Sequence, residues 1–531
     1  MKNLKIAQYF EPLIFFIIAA LVIYVRLRYA DMAMERDEGE YAYAGSQILR
    51  GGFPFKDFYN MKLPGVYYCY FIIMGLFGKT VVAVRIGVLF LNLATSFFLI
   101  QLGQKWINYK AGFLAGAFYL FLAMSFSAQG MIANCEHFVL FFFILTLWAL
   151  SKEWFFMAGL CAAFTIFMKQ QGGILLCFAF VYFIHLLILK KKKEPVFRKI
   201  TLSIAGFLLP FAVFLTAIWY KGVFQAFKFF AIDYARAYIG INKPHKDFST
   251  LFGIMQEGEV LWGVGKISFL IALIFGIFNK KLKFKTPLNP LFLVLFVVFS
   301  YLAILPGWYY RPHYYQYFFP SVALLMAYGW SYFSALSEKI IFKFTYVLLL
   351  VISFSLAIHT KKEYLFYYTH IQLLENTYYV ERFHELRDLG YILKKNSLET
   401  DTIGMMGHEP EVLFYADRVS ASGYLYSYPF IEDQPYSMEM AYQYNKEIKN
   451  TKPKWFVDCF YWFTWEWFHT RIPMEDTYNF IKKNYYLRGA LYEDKKLEWN
   501  IDSVDQKRKP YAIIFERRDS GQTEPKPLIL N

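Results

Sequence analysis

Charge is scarce in this chain. Of its 531 residues only 18% are Asp, Glu, Lys or Arg, against 57% hydrophobic and 21% aromatic, which leaves too little charge for the surface of an ordinary soluble enzyme. Cysteine is scarce as well. Cys69, Cys135, Cys161 and Cys177 lie in or beside apolar runs and only Cys459 falls in a polar stretch, so no structural disulfide is expected and no zinc-ligand spacing exists. Internal repeats and low-complexity tracts are missing. Acidic residues are outnumbered 41 to 56 by Lys and Arg, for a formal charge of +15. The basic residues nevertheless come in short clusters between apolar runs, such as Lys190 to Lys193, which marks them as topology anchors and not as a nucleic-acid face. What remains is the composition of an integral membrane protein.

The N-terminus leads from Met1-Lys2-Asn3-Leu4-Lys5 into an apolar run at residues 11–25. Tyr24-Val25-Arg26-Leu27-Arg28 lacks the small residues of a signal-peptide cleavage site, so a retained first span is expected. Further apolar runs follow at 82–102, 111–128, 137–150, 154–168, 172–189, 200–219, 266–278, 288–306, 314–333 and 341–358, several of them shorter than the ~20 residues of a straight span. The run from Val66 to Phe77 is ambiguous. Read as a helix lying on the outer surface, it leaves Lys105, Lys110, Lys190 to Lys193, Lys280 to Lys285 and Lys339 to Lys343 all inside, as the positive-inside rule asks. That choice gives about eleven spans, an inside N-terminus and an outside C-terminus. It also puts the loop 30–80, the link 129–136, the loop 221–265 and Gly307-Trp308-Tyr309-Tyr310-Arg311-Pro312-His313 on one outer face.

Beyond Lys361 the pattern changes to helices at 381–395, 409–416, 438–449 and near 475–483, with strands at 402–406, 455–459 and 511–515 and a loop carrying Pro429 and Pro435. Strands alternating with helices predict a small α/β domain outside the membrane. Two motif readings fail there and upstream. The stretch 258–266 has Val260 where a phosphate loop needs its first glycine and Ile267 where it needs Ser or Thr, and His408-Glu409-Pro410-Glu411 lacks the second histidine of a zinc-protease helix.

Chemistry is expected in the first outer loop, where Arg36-Asp37-Glu38-Gly39-Glu40-Tyr41 places an acidic pair beside hydrocarbon segments. Charge kept there either faces water or works on a polar substrate. Asp37 with Glu40 three residues later also reads as a capping box for a helix from Glu38 to Leu49, ended by Gly51-Gly52. The order of a first span, Asp37-Glu38 opening a helix, Lys62-Leu63-Pro64, the Arg85 segment and Asn134-Cys135-Glu136 at a later span resembles the GT-C membrane glycosyltransferases. More narrowly it resembles the branch related to protein O-mannosyltransferases and lipid A aminoarabinose transferases. The similarity covers roughly the first 190 residues, and His313-Tyr314-Tyr315 before a span fits the same pattern.

The resemblance implies a polytopic α-helical, GT-C-like membrane domain over 1–360 and an extracytoplasmic α/β domain over 361–531, in the inner or plasma membrane. It implies an inverting transfer of a sugar from a polyprenyl-phosphate donor to a hydroxyl on a lipid, a protein or a surface glycan. Nucleotide sugars are not expected on the outer face, and a phosphate is already a competent leaving group. Such an enzyme must add a base for the acceptor and positive charge for the departing phosphate. Asp37 matches the family's first acidic position and is the expected base, and direct attack without a covalent intermediate inverts the anomeric centre. Glu38 either orients the acceptor or faces water. Lys62, Lys169, Arg311 and His313 are expected on the donor phosphate, although Lys62 also reads as an interfacial lysine and His313 as a structural histidine. Asp57, Glu136, Asn134 and Tyr41 are candidates for substrate or a divalent metal. The aminoarabinose branch has an acidic residue directly before this lysine, where Met61 stands here, and that departure counts against metal coordination. Trp462, Trp465 and Trp467 read as interface anchors or core before sugar platforms. The competing class is a transporter or flippase, which calls for charged or Gly/Pro-broken segments at mid-membrane and related halves, whereas here the charges collect at one surface and no repeat is visible.

Overall fold

The computed structural model describes residues 10–189, 195–257, 290–335, 340–378, 382–459 and 471–519. The apolar run 266–278, the lysine clusters 190–193 and 280–285, the stretch 258–266 and Trp462, Trp465 and Trp467 lie outside the described residues. Every apolar run expected within them forms a helix. Phe10–Arg28, Val81–Trp106, Val196–Tyr220 and Ile341–Thr360 are long and apolar enough to cross a membrane. Tyr109–Leu122, Cys135–Ser151, Phe155–Met168, Gly172–Leu189, Pro290–Leu302 and Phe318–Ala335 are shorter. The ambiguous run is the helix Gly65–Phe77 of 13 residues. At 1.5 Å per residue it rises about 20 Å, short of the ~30 Å hydrocarbon core.

Contacts divide the chain into two compact units. The first comprises Met1–Asp31, Arg85–Ala217 and Pro244–Thr377. At its centre lies Tyr109–Leu122, buried on all sides and packed against Phe10–Arg28 and Phe318–Ala335. The expected run 111–128 stops being helical at Leu122, where a polar turn through Ser125 and Gly130 begins. Buried Arg26 closes that turn, its Nη2 donating to Ala123 O and Gly130 O at 2.8 Å each. The buried Glu11 carboxyl in this unit likewise has partners, as low-dielectric surroundings favour. Glu11 accepts from Tyr346 Oη at 3.0 Å and pairs with Lys110 at 3.1 Å.

The second unit comprises Met32–Val84, Ile218–Lys243 and Tyr378–Asn531. Its framework is a six-stranded mixed sheet of β1 (Thr402–Met406), β2 (Val419–Ser420), β3 (Trp455–Asp458), β4 (Tyr485–Tyr492), β5 (Leu497–Trp499) and β6 (Pro510–Arg517) in the order β2-β1-β3-β6-β4-β5. β1 runs parallel to β2 and β3, while β6 is antiparallel to β3 and β4. Phe383–Lys395, Glu411–Ala416, Ser437–Thr451 and Arg471–Asn484 are the helices expected there, within a few residues. β2, β4 and β5 were not expected. β4 follows its helix with no linker and carries Arg488-Gly489 at a bulge, so its apolar alternation is broken just where a strand would be read.

The helix Arg36–Leu49 packs on Glu411–Ala416 and on Gly65–Phe77, all within this second unit. Gly39 permits the first contact, because a Cβ there would lie 2.6 Å from Glu411 Cα.

Candidate active site

The helix that carries the acidic motif starts earlier than its spacing suggested. It spans Arg36–Leu49, and its capping box is formed by Glu35 and Glu38, not by Asp37 and Glu40. The Glu35 carboxylate accepts from Glu38 N at 3.0 Å, and the Glu38 carboxylate accepts from Glu35 N at 3.2 Å. Glu38 reaches back over one turn to the Glu35 backbone while Glu35 accepts from the third helical N–H, and the pair relieves Asp37 of the cap. The water-facing alternative for Glu38 is therefore corrected: its side chain is fully buried and holds the helix start. The expected end is met, with Gly51 at φ 87° just past Leu49.

Asp37 and Glu40 sit one turn apart on the same helix face and share a lysine. Lys62 Nζ lies 2.7 Å from Glu40 Oε2 and 3.2 Å from Asp37 Oδ1, with Tyr41 Oη at 3.1 Å and the Tyr41 ring centroid at 4.6 Å. A local turn delivers the lysine, since Asn60 Oδ1 accepts from Lys62 N at 3.1 Å. Glu40 is fully buried and further held by Asn60 Nδ2 at 2.7 Å and by the Tyr67 hydroxyl. Tyr426 Oη lies within 3.2 Å of Asp37 Oδ1 and 3.1 Å of Glu40 Oε2. Burial pushes the Glu40 carboxyl above the usual range while Lys62 opposes the rise. Glu35 is pushed well above it by burial, helped by the charges of Asp37 and Glu38. Of the four acids at this helix start, Asp37 alone is part exposed, its side chain 27% accessible.

Sequence reasoning missed Glu40 and Tyr426 as site residues. The three-residue spacing from Asp37 carried a signal for Glu40 that was spent on the capping reading. Tyr426 has no local signal, being 389 residues from Asp37. Asp57 stands apart from this group: it is exposed and accepts from Phe53 N at 2.7 Å, stabilising its own turn.

The first unit holds a second cluster. Glu136, in the first turn of Cys135–Ser151, is fully buried, and its Oε1 accepts from Lys169 Nζ at 2.6 Å. The same ammonium lies 4.0 Å from the Tyr314 ring centroid. Lys169 comes to this place at the C-cap of Phe155–Met168. His313 is the second residue of the short helical turn Pro312–Tyr317, and its Nδ1 pairs with Gln129 Oε1 at 3.1 Å. Asn134 caps Cys135–Ser151 with extended backbone, and among the described residues both polar atoms of its buried amide lack a hydrogen-bond partner. Buried amides of that kind call for a partner. Arg311 is exposed and lies 5.4 Å over the Tyr309 ring.

A divalent ion fits neither cluster well. The Lys62 ammonium already stands where an ion would have to bridge Asp37 and Glu40, and Lys169 takes the same place on Glu136. Among the described residues no group of three or more His, Cys, Asp or Glu side chains is arranged to hold a metal.

Among solved structures the chain is similar to ArnT from Cupriavidus metallidurans bound to undecaprenyl phosphate, with a TM-score of 0.57 and 15% identity over 96% of this chain and 98% of that one. The apo form of the same protein gives 0.56 at 13% identity, covering 94% and 97%. The Archaeoglobus fulgidus oligosaccharyltransferase in its apo form gives 0.51 at 12% identity, covering 93% of this chain and 74% of that one. This chain has the GT-C fold. The resemblance read from its first 190 residues is thus matched at the level of fold over nearly the whole length. A scan against protein-family models and a search of curated proteins find no match.

Proposed function

We propose that this protein is an inverting glycosyltransferase that moves a sugar from a polyprenyl-phosphate donor to a hydroxyl-bearing acceptor, lipid, protein or surface glycan, at the outer face of the cell membrane. About eleven spans, with residues 361–531 outside, belong to the same reading. The observation that carries it is the state of Asp37. Its capping duty is taken by Glu35 and Glu38, it is the part-exposed acid of the four, and Lys62 and Tyr426 fix its direction. A carboxylate oriented in this way suits a general base.

In the proposed step the acceptor oxygen attacks the anomeric carbon and its proton passes to Asp37. The C1–O bond to phosphate breaks from the opposite side, and the phosphate leaves with the bonding pair. One displacement inverts the centre. Glu38 acts on this step only by holding the helix start that carries Asp37. Lys62 orients the base with its Tyr41 neighbour, and the positive charge of Lys62, Lys169 and Arg311, with the His313 imidazole as a hydrogen-bond partner, is assigned to the phosphate. Asn134 and Glu136 are assigned to substrate, the unpartnered amide of Asn134 supporting that assignment. Asp57 is assigned to shaping the loop. No step runs through a metal.

The test is Asp37→Asn, which keeps size and removes the base, assayed in liposomes with polyprenyl-phosphate sugars as donors. Turnover is expected to fall by about 100-fold or more. Undiminished transfer removes Asp37 from the mechanism.

A further inference from the structure

The second unit contains a cavity of about 390 Å³ that the proposed chemistry does not use. One wall is aromatic. Tyr59 stacks on Phe230 with centroids 4.7 Å apart and planes 13° from parallel, and Phe229 extends the wall, set edge-on to Phe230 at 5.0 Å. Gln225, Glu439 and Gln443 add polar groups to the lining. A bonded frame holds the aromatic wall rigid. Tyr59 Oη donates to Glu447 Oε1 at 3.1 Å, Gln443 Nε2 donates to the same oxygen at 3.0 Å, and Tyr424 Oη donates to Gln443 Oε1 at 3.1 Å.

The segment that carries the phenylalanines is a π-helical turn, Phe229–Tyr234. Such turns are rare and are frequently found at functional sites. Here the wider turn is fastened by Lys228 and Asp233, five residues apart and paired at 2.8 Å, and it sets Phe229 and Phe230 side by side on the cavity. That pair leaves Glu439 as the cavity's uncompensated charge. Apolar flat faces together with polar donors and acceptors, with little net charge, are a poor match for a lipid tail or a phosphate. They match a ring that is apolar on its C–H faces and hydroxylated around its edge. The volume falls at the lower end of the ~300–1,000 Å³ typical of small-molecule sites.

We propose that this cavity is a saccharide-binding site that seats a sugar ring against Phe229 and Tyr59, with its hydroxyls on Glu439, Gln225 and Gln443. In the transferase reading, on which only this last assignment rests, the ring belongs to the acceptor. The test uses the full chain in a sugar-free detergent and saturation-transfer NMR with methyl glycosides of common hexoses, pentoses and N-acetylhexosamines. At least one glycoside is expected to receive saturation on its ring C–H protons with a Kd of about 1 mM or weaker, the range of a single ring. Phe229→Leu, which keeps apolar bulk without the flat face, and Glu439→Gln, at an exposed position, should each weaken that signal about fivefold. Silence from every glycoside at ~10 mM, or a signal that survives both substitutions, overturns the proposal. Asp37→Asn protein should still bind the glycoside. In the unsubstituted protein, binding without transfer sinks the transferase reading alone, and transfer without binding sinks the saccharide site alone.

Discussion

Replacing Lys62 with Met tests whether the ammonium is the counter-charge for a buried acid. Glu40 is fully buried and Lys62 Nζ lies 2.7 Å from it, so the estimate for a surface pair does not apply. Removing one partner of a buried pair costs about 3–5 kcal/mol, because the other charge is left uncompensated. Glu40 retains Asn60, Tyr67 and Tyr426 as neutral donors, which places the expected loss near 3 kcal/mol, or roughly 150-fold in the folded-to-unfolded ratio. The sign with pH follows from the raised Glu40 carboxyl. Without Lys62 it rises further, so the folded state holds a proton that the unfolded chain has already released, and stability falls as pH climbs above the usual ~4.3 of Glu. Thermal unfolding in detergent, at one scan rate from pH 5 to 8, should show Lys62→Met close to the parent at the acid end and furthest from it at the alkaline end. Glu40→Gln combined with Lys62→Met removes both charges and should recover to within about 1 kcal/mol of the parent. A loss that is independent of pH, or a double variant as weak as the single one, refutes the reasoning.

Three further outcomes are expected. Gly39→Ala drives a methyl into the Glu411 backbone and should cost about 1–3 kcal/mol in the same melting assay, whereas a parent-like melt refutes the close approach. Glu35→Gln keeps a cap acceptor but removes a carboxyl that burial, Asp37 and Glu38 hold well above its usual range. Since folded Glu35 binds its proton more tightly than unfolded Glu35, the parent loses stability as pH rises, and the variant's melting curve should be flatter above about pH 5. Tyr426→Phe removes a hydroxyl within 3.2 Å of Asp37. About a tenfold fall in kcat with KM unchanged is the mark of a positioning role, and an unchanged kcat removes it.

Much of this fold was legible because long apolar runs have few alternatives: a membrane or a deep core must satisfy the backbone locally, and the helix does so. The strands β1, β3 and β6 were legible for a related reason, since Thr402–Met406 and Trp455–Asp458 are short apolar runs bounded by polar residues. β4 was not, because Arg488 is buried inside it against Glu516, a pairing that exists only once β6 is folded beside it. The site divides in the same way. Asp37, Lys62, Glu136 and Lys169 were readable as charges kept beside hydrocarbon. Which acid caps the helix was not, because Glu35 and Asp37 both stand at spacings that close a box and only packing decides between them. The partnership of Tyr426 with Asp37 depends on the α/β domain and leaves no trace in the local sequence.

The same packing is the reason Asp37, and not Glu40, is proposed as the base. Both lie on one face of the helix and share Lys62 and Tyr426. Glu40 meets four donors with its two oxygens and is shut away from solvent, so no acceptor hydroxyl reaches it without dismantling that network. Asp37 borrows orientation from this anchored neighbour while remaining within reach of water. On this view Glu40→Gln should disturb the aim of Asp37 and lower turnover without abolishing it, whereas Asp37→Asn removes the proton acceptor itself. If Glu40→Gln proved the more damaging of the two in the same transfer assay, with its melting curve unchanged, the base would have to be assigned to Glu40.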